Sequence, residues 1–214
     1  MSRLAICLPQ TDNVRAEYAL SLAGMMLRLG SVPCGMNDVA TVAGSGSVLP
    51  SVRIGIARRA IEVYKSTHLL WIDADHSFPA DTAHRLISHQ RPWVGINATT
   101  RRLPLRFTAI NKKGEVVTTG PHDKGIERVW RMGFGIVLIE ARVFEAMEKP
   151  WFMNEYVETA DDPTVRGEDI YFCEKARAAG FAPMVDHDLT KETTHIGAVG
   201  FSSAMLDEAT QTSA

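Results

Sequence analysis

Apolar and polar positions along the chain alternate between short continuous apolar runs and longer stretches at helical spacing. Leu4-Ala5-Ile6-Cys7-Leu8 reads as a first strand, closed by the polar turn Pro9-Gln10-Thr11-Asp12-Asn13. From Arg15 to Leu29, residues Tyr18, Leu22, Met25, Met26 and Leu29 recur on one helical face, and Gly30 offers a stop. A short strand is expected near Ser31–Met36. Asn37–Val48, with Ala43-Gly44-Ser45-Gly46-Ser47, reads as a loop. No Gly-Lys-Ser/Thr follows, so a flexible connector is favoured over a phosphate cradle. Val52–Tyr64 is a second helix carrying Arg53, Arg58 and Arg59, and His68-Leu69-Leu70-Trp71-Ile72 is a strand apolar enough to be buried on both faces.

The second half is more mixed. Thr82–His89 reads as a helix and Trp93–Asn97 as a buried strand. Residues 98–128 carry Gly114, Gly120-Pro121 and Gly125 and suggest hairpins. An apolar strand, Met132–Ile139, is entered through Gly133-Phe134-Gly135. A short helix at Val143–Met147, an apolar plug at Trp151-Phe152 and a turn at Asp161-Asp162-Pro163 follow. Ile170–Ala179 is a helix stopped by Gly180, and Met184-Val185-Asp186 a last strand. Helices alternating with strands, then a mixed part, predict an α/β sandwich with an antiparallel extension. Residues 1–206 form one domain in this reading and 207–214 a flexible tail.

Composition narrows the function classes. The chain has 214 residues, 45% of them hydrophobic, which is enough for one sizeable core. A formal net charge of -2 argues against non-specific nucleic-acid binding through a general basic field. Local clusters exist, Arg58-Arg59, Arg101-Arg102 with Arg106, and Lys112-Lys113, each most simply a solvated face. Three widely spaced cysteines, Cys7, Cys34 and Cys173, form no metal-binding spacing and read as buried free thiols in a reducing compartment. No apolar run approaches the ~18–20 residues that span a bilayer. A cytoplasmic protein is expected.

The chemistry concentrates at strand ends. After Trp71-Ile72 come Asp73-Ala74-Asp75, two carboxylates spaced i, i+2, which an extended chain directs to one side. Like charges this close favour a cation between them. Ligands of open α/β sheets bind at the carboxyl ends of strands, where this pair lies. The plainer alternative is a turn former or helix cap, since Phe78-Pro79-Ala80-Asp81 resembles a helix start. Glu168-Asp169 sits at another helix start, where acids offset the macrodipole. Such a carboxylate also suits a general base that takes a proton from an acceptor hydroxyl. His195, in Thr193-Thr194-His195-Ile196-Gly197, joins two carboxylates as a candidate ligand for manganese or magnesium. His76 competes for that role but ranks lower, because Ser77-Phe78-Pro79 is expected to turn the chain away. Gly133 and Gly135 mark either a bulge or a close backbone approach.

The order of these pieces, Asp-x-Asp-x-x-Phe-Pro, Gly-Phe-Gly, Gly-Glu-Asp-x-x-Phe-Cys and His-x-Gly, resembles the GT-A glycosyltransferases, particularly small family 2-like members of phages and bacteria. The resemblance covers roughly residues 4–200. It implies a GT-A (Rossmann-like) mixed sheet flanked by helices. It also implies a nucleotide-diphosphate sugar donor, with a UDP-sugar expected, held by a divalent cation (Mn2+ or Mg2+). By that resemblance Asp73, Ala74 and Asp75 meet the ion and diphosphate, and His195 is a further ligand. Asp169 looks like the base of an inverting transfer, with Glu168 beside it. Pro9, Gln10 and Thr11 lie by the nucleoside, Arg58 by the nucleotide, and Gly133, Phe134 and Gly135 on the acceptor side. The first turn departs from the commoner Pro-x-Tyr-Asn. Phage-like relatives make a hydroxymethylated base in DNA one candidate acceptor.

Two rival classes fit parts of the sequence. Asp73-Ala74-Asp75-His76-Ser77 matches the nucleophile motif of haloacid-dehalogenase-type phosphatases, but that family usually opens on this strand, and its later acidic pair is missing. A non-catalytic nucleotide-sugar-binding module would need Asp73 and Asp75 but not Asp169.

Overall fold

The computed structural model describes residues 1–11, 13–101, 104–157 and 164–197. In chain order the elements are β1 (Arg3–Gln10), α1 (Ala16–Ser31), β2 (Asp38–Ser45), α2 (Leu49–Arg58, prolonged by a π-helical turn, Arg59–Val63), β3 (His68–Ile72), β4 (His76–Ser77), α3 (Thr82–Ser88) and β5 (Trp93–Gly95). Then follow β6 (Ile126–Arg128), β7 (Ile136–Glu140), α4 (Ala141–Glu145), β8 (Glu155–Val157), β9 (Thr164–Arg166), α5 (Glu168–Ala178), β10 (Met184–Asp186), α6 (His187–Lys191) and β11 (Thr194–His195).

Seven strands form one sheet in the order β2-β1-β3-β7-β5-β10-β6. β1 pairs parallel with both β2 and β3, whereas β7 runs antiparallel to its neighbours β3 and β5. The period-2 geometry of strands explains the layering. Leu4, Ile6 and Leu8 of β1, with Leu70 and Ile72 of β3, face α1, α3 and α6. Ala5 and Cys7, with Leu69 and Trp71, face α2, α4 and α5. Both faces are therefore covered, which is why β1 and β3 are apolar without alternation. On the second face Phe134, Phe144, Phe152 and Phe172 surround Trp71 and Trp93, with Phe152 and Phe172 stacked at 4.9 Å. The expected plug Trp151-Phe152 is buried there.

Several expectations are corrected. The strand expected at Ser31–Met36 lies later, and the segment read as a Gly-Ser loop is mostly β2. Its eight residues pair with β1 from Arg3↔Asp38 to Gln10↔Ser45. Gly44 is needed there, because a Cβ would lie 2.9 Å from Ile56 Cγ1 of α2. α1 runs through Gly30 to Ser31, where the N–H of Val32 caps it on Arg28. α6 and the β8–β9 hairpin lacked a periodic signal because they are so short. Cys7 and Cys173 are buried thiols, but Cys34 is only half-buried. The turn expected at Asp161-Asp162-Pro163 and the C-terminal tail lie outside the described residues. Among the described residues no helix is long and apolar enough to cross a membrane.

Candidate active site

Asp73 and Asp75 lie in the turn between β3 and β4, not on an extended strand. Their backbone is pinned from two sides. The Asp73 N–H donates to Gly135 O (2.9 Å), and Ile196 N–H donates to Asp75 O (2.7 Å). The turn sends the two carboxylates to different partners.

Asp73 faces Arg53 of α2. The Arg53 Nη2 donates to both carboxylate oxygens at 2.9 and 3.1 Å, and its Nε donates to Glu168 Oε1 at 3.2 Å. The guanidinium is buried and lies 5.1 Å from the Phe134 ring and 5.8 Å from Trp71. An Arg at this depth requires paired charge and hydrogen bonds. It thus ties the Asp73 turn to the first residue of α5. Burial raises the Asp73 carboxyl above its ordinary value, and Arg53 offsets only part of that. Asp73 is therefore an Arg53 partner, separate from the cluster around Asp75.

Asp75 faces two imidazoles. β4 pairs antiparallel with β11 in the register His76↔His195, so the rings stack at 4.3 Å with an interplanar angle of 18°. His76 Nδ1 lies 3.0 Å from Asp75 Oδ1, and His195 Nε2 lies 3.4 Å from Oδ2. Arg101 Nη1 is 2.8 Å from the same Oδ2. Burial opposes ionisation of Asp75, but His195 and His76 outweigh it and hold the carboxyl well below the usual range. His195 is lowered by burial, yet Asp75 and the Thr99 carbonyl leave it raised overall.

This second cluster has the marks of a cation site. Asp75, His76 and His195 each present a ligand atom, all within 4.8 Å of one another. His76 Nδ1 and Asp75 Oδ1 face only each other, and the buried His76 Nε2 has no hydrogen-bond partner, an arrangement that ordinarily costs stability. His195 Nδ1 contacts Thr99 O at 2.5 Å. With a proton on Nδ1 donated to that carbonyl, Nε2 would be free to exchange its contact with Asp75 for a cation, as in metal-bound histidines. One oxygen and two imidazole nitrogens suit a borderline divalent ion. His76, ranked below His195 on sequence, is a full member, because Ser77 continues β4 instead of turning away. Gly135 makes room for it: a Cβ there would lie 2.6 Å from His76 Nε2.

A cavity of about 760 Å3 opens over this turn, lined by Pro9, Gln10 and Thr11 at the end of β1, by Gly46 and Ser47 after β2, and by Asp73, Ala74, Asp75 and Arg101. It gathers the carboxyl ends of three parallel strands, as open α/β sheets do at their ligand sites. Glu168 connects to it through Arg53. Asp169 accepts from the Ile170 N–H at 2.7 Å, and burial followed by the Glu168 charge raises its carboxyl.

Other expected site residues fall elsewhere. Arg58 is exposed and pairs with Glu62 at 3.5 Å, so the inward arginine of α2 is Arg53, not Arg58. Phe134 points into the aromatic core, and the Gly133 N–H donates to Thr108 Oγ1 at 3.3 Å. A sequence signal for Arg53 existed: Arg53, Ile56, Ala57 and Ala60 follow i, i+3, i+4, i+7 spacing, and all are buried. A charge on the apolar stripe of a helix demands buried partners. Of the arginine cluster, Arg101 contacts Asp75, Arg106 is exposed and Arg102 lies outside the described residues.

No protein-family model and no curated protein sequence matches the chain. Solved structures do. A197 from STIV is 15% identical and aligns over 94% of this chain and 97% of its own, with a TM-score of 0.56. The catalytic domain of Drosophila β1,4-galactosyltransferase 7 in complex with xylobiose is 16% identical over 92% of this chain and 71% of that one, TM-score 0.52. A mutant of that enzyme in complex with manganese, UDP-Gal and xylobiose gives 14% identity, 96% and 79% coverage and a TM-score of 0.51. The fold is the GT-A glycosyltransferase fold, a mixed sheet between helices.

Proposed function

We propose that the chain is a metal-dependent glycosyltransferase that moves a sugar from a nucleotide-diphosphate sugar, with UDP as the nucleotide, to an acceptor hydroxyl. The observation that carries this reading is the Asp75, His76 and His195 ligand set, with His76 Nε2 unpartnered, in which Asp75 lines the cavity at the ends of β1, β2 and β3 and the two imidazoles line a smaller pocket. A divalent ion there, manganese in this reading, supplies charge that offsets the negative charge growing on the departing diphosphate. Asp75, His76 and His195 hold that charge in place. Pro9, Gln10 and Thr11 form the wall for the nucleoside, and Ser47 offers a hydroxyl opposite them.

Asp169 is the general base in this proposal. Its raised carboxyl is better matched to taking a hydroxyl proton than an ordinary aspartate. Direct attack by that hydroxyl on the anomeric carbon, through an oxocarbenium-like state, inverts the configuration. Arg53 is a positioning residue, joining the Asp73 turn to Glu168 beside the base. The manganese and UDP-Gal in the galactosyltransferase complex support the donor assignment. A carbohydrate hydroxyl is favoured, since both galactosyltransferase complexes contain xylobiose. The phosphatase reading is disfavoured by the chelation of Asp73 by Arg53, which leaves no free nucleophilic carboxylate there.

The test is a thermal-shift panel of nucleoside diphosphates with and without Mn2+. UDP raises the melting temperature only when Mn2+ is present, because a ligand that binds only the folded state stabilises it by mass action. No metal-dependent shift with any nucleotide overturns the proposal.

A further inference from the structure

We infer that Arg101 is a donor-phosphate ligand whose ion pair with Asp75 competes with a cation for that carboxylate, so that a bound cation turns its guanidinium toward the diphosphate. The inference depends on the metal-dependent reading above and adds a residue and a switch to it. Arg101 Nη1 lies 2.8 Å from Asp75 Oδ2, the oxygen that His195 Nε2 also approaches at 3.4 Å. The guanidinium thus holds positive charge on the carboxylate that an ion bound by Asp75, His76 and His195 would share. An ion in that cluster and the guanidinium repel each other, so the ion weakens the Arg101–Asp75 pair.

The exchange is easy because the Arg101 side chain is 53% exposed, and ion pairs at such exposure are weak. Asp75 by contrast is held by its backbone and by two imidazoles, so the arginine is the partner that moves. Arg101 also lines the cavity that contains Pro9, Gln10 and Thr11, so a displaced guanidinium is already beside the donor. Its planar fork matches two phosphate oxygens, and the diphosphate brings the anion that the ion has taken from it. The pair therefore makes cation and nucleotide binding mutually reinforcing. The ion frees the arginine, and the arginine then grips the ion's diphosphate.

The experiment measures Mn2+ binding directly, by the electron paramagnetic resonance signal of free Mn2+, with and without UDP. Wild type, Arg101→Ala, Arg101→Lys and the control Arg106→Ala are compared, each checked for an unchanged circular dichroism spectrum. Arg101→Ala binds Mn2+ alone more tightly, by up to about fivefold, since a competing surface ion pair is gone. In the presence of Mn2+ it binds UDP more weakly, by about tenfold or more, the worth of a lost charge-assisted hydrogen bond. Arg101→Lys lies between the two, and Arg106→Ala matches wild type. Unchanged or weaker Mn2+ binding by Arg101→Ala overturns the inference while leaving the metal site standing. Failure of wild type itself to bind Mn2+ overturns both, and so identifies the metal reading as the faulty step.

Discussion

Asp73 and Asp75 are two residues apart in one turn, yet they live in opposite electrostatic worlds. Asp73 is the more closed: one buried guanidinium satisfies both its oxygens and reaches on to Glu168, leaving only Arg53 Nη1 without a partner. Asp75 is the more open: two stacked imidazoles and a half-exposed arginine surround it, and His76 Nε2 lacks a partner. A closed cluster has its charges matched and serves as scaffold. An open one holds bonding capacity that a ligand can use. An Asp-x-Asp motif is therefore no single device here. One acid meets a buried guanidinium, and the other meets two imidazoles.

The sharpest way to break this contrast is to remove the closed cluster's cation. Arg53→Met strands Asp73 and Glu168, and a loss of about 3–5 kcal/mol is expected for an uncompensated buried pair. Urea unfolding measures it. A triple variant, Arg53→Met with Asp73→Asn and Glu168→Gln, should recover part of the loss, because no unpaired charge is left behind. A loss below about 1 kcal/mol in the single variant, as for a surface pair, means the cluster is not closed at all.

Next comes the open cluster. His76→Ala should weaken Mn2+ binding beyond the roughly 10–100-fold that loss of an outer-sphere partner costs. Isothermal titration calorimetry gives the number, and a circular dichroism spectrum checks that the fold survives the loss of a buried ring. Retained Mn2+ affinity removes His76 from the ligand set. Gly135→Ala is the subtler probe. Its new Cβ would meet His76 Nε2 at 2.6 Å, so the ring must shift. A fall of about tenfold in Mn2+ affinity, at the low end of outer-sphere effects, is expected in the same titration. An effect equal to wild type means the ring is not held where the ion needs it.

The smallest expected change is a pH limb. Burial and Glu168 raise the Asp169 carboxyl, and a base works only when deprotonated. Turnover should therefore rise with pH through a value above that of an ordinary aspartate, and fall on the acid side. Glu168→Gln removes the neighbouring charge and should move that limb to lower pH. A limb that stays in place assigns the titration to another group.

Much of the architecture was legible beforehand. Apolar runs at Leu4–Leu8 and His68–Ile72 became the parallel centre of the sheet, because burial on both faces leaves an unmistakable composition. The helices at α1, α2, α3 and α5 announced themselves by periodicity and by glycine or proline punctuation. β2 was misread since small residues and a Gly-Ser pair are ambiguous alone. Only the neighbouring β1, offering eight backbone partners, makes them a strand.

The site divided along the same line. Local order along the chain determined that carboxylates would follow β3 and open α5, and that His195 would end the last segment, because strand ends and helix starts are set by residues a few positions away. Tertiary structure alone decided who pairs with whom. Arg53 meets Glu168 across 115 positions, and His76 meets His195 only through the β4–β11 register. The physical reason is that a charge takes whichever partner the folded surroundings bring within about 3 Å once water is excluded, and that choice is made by packing between distant segments.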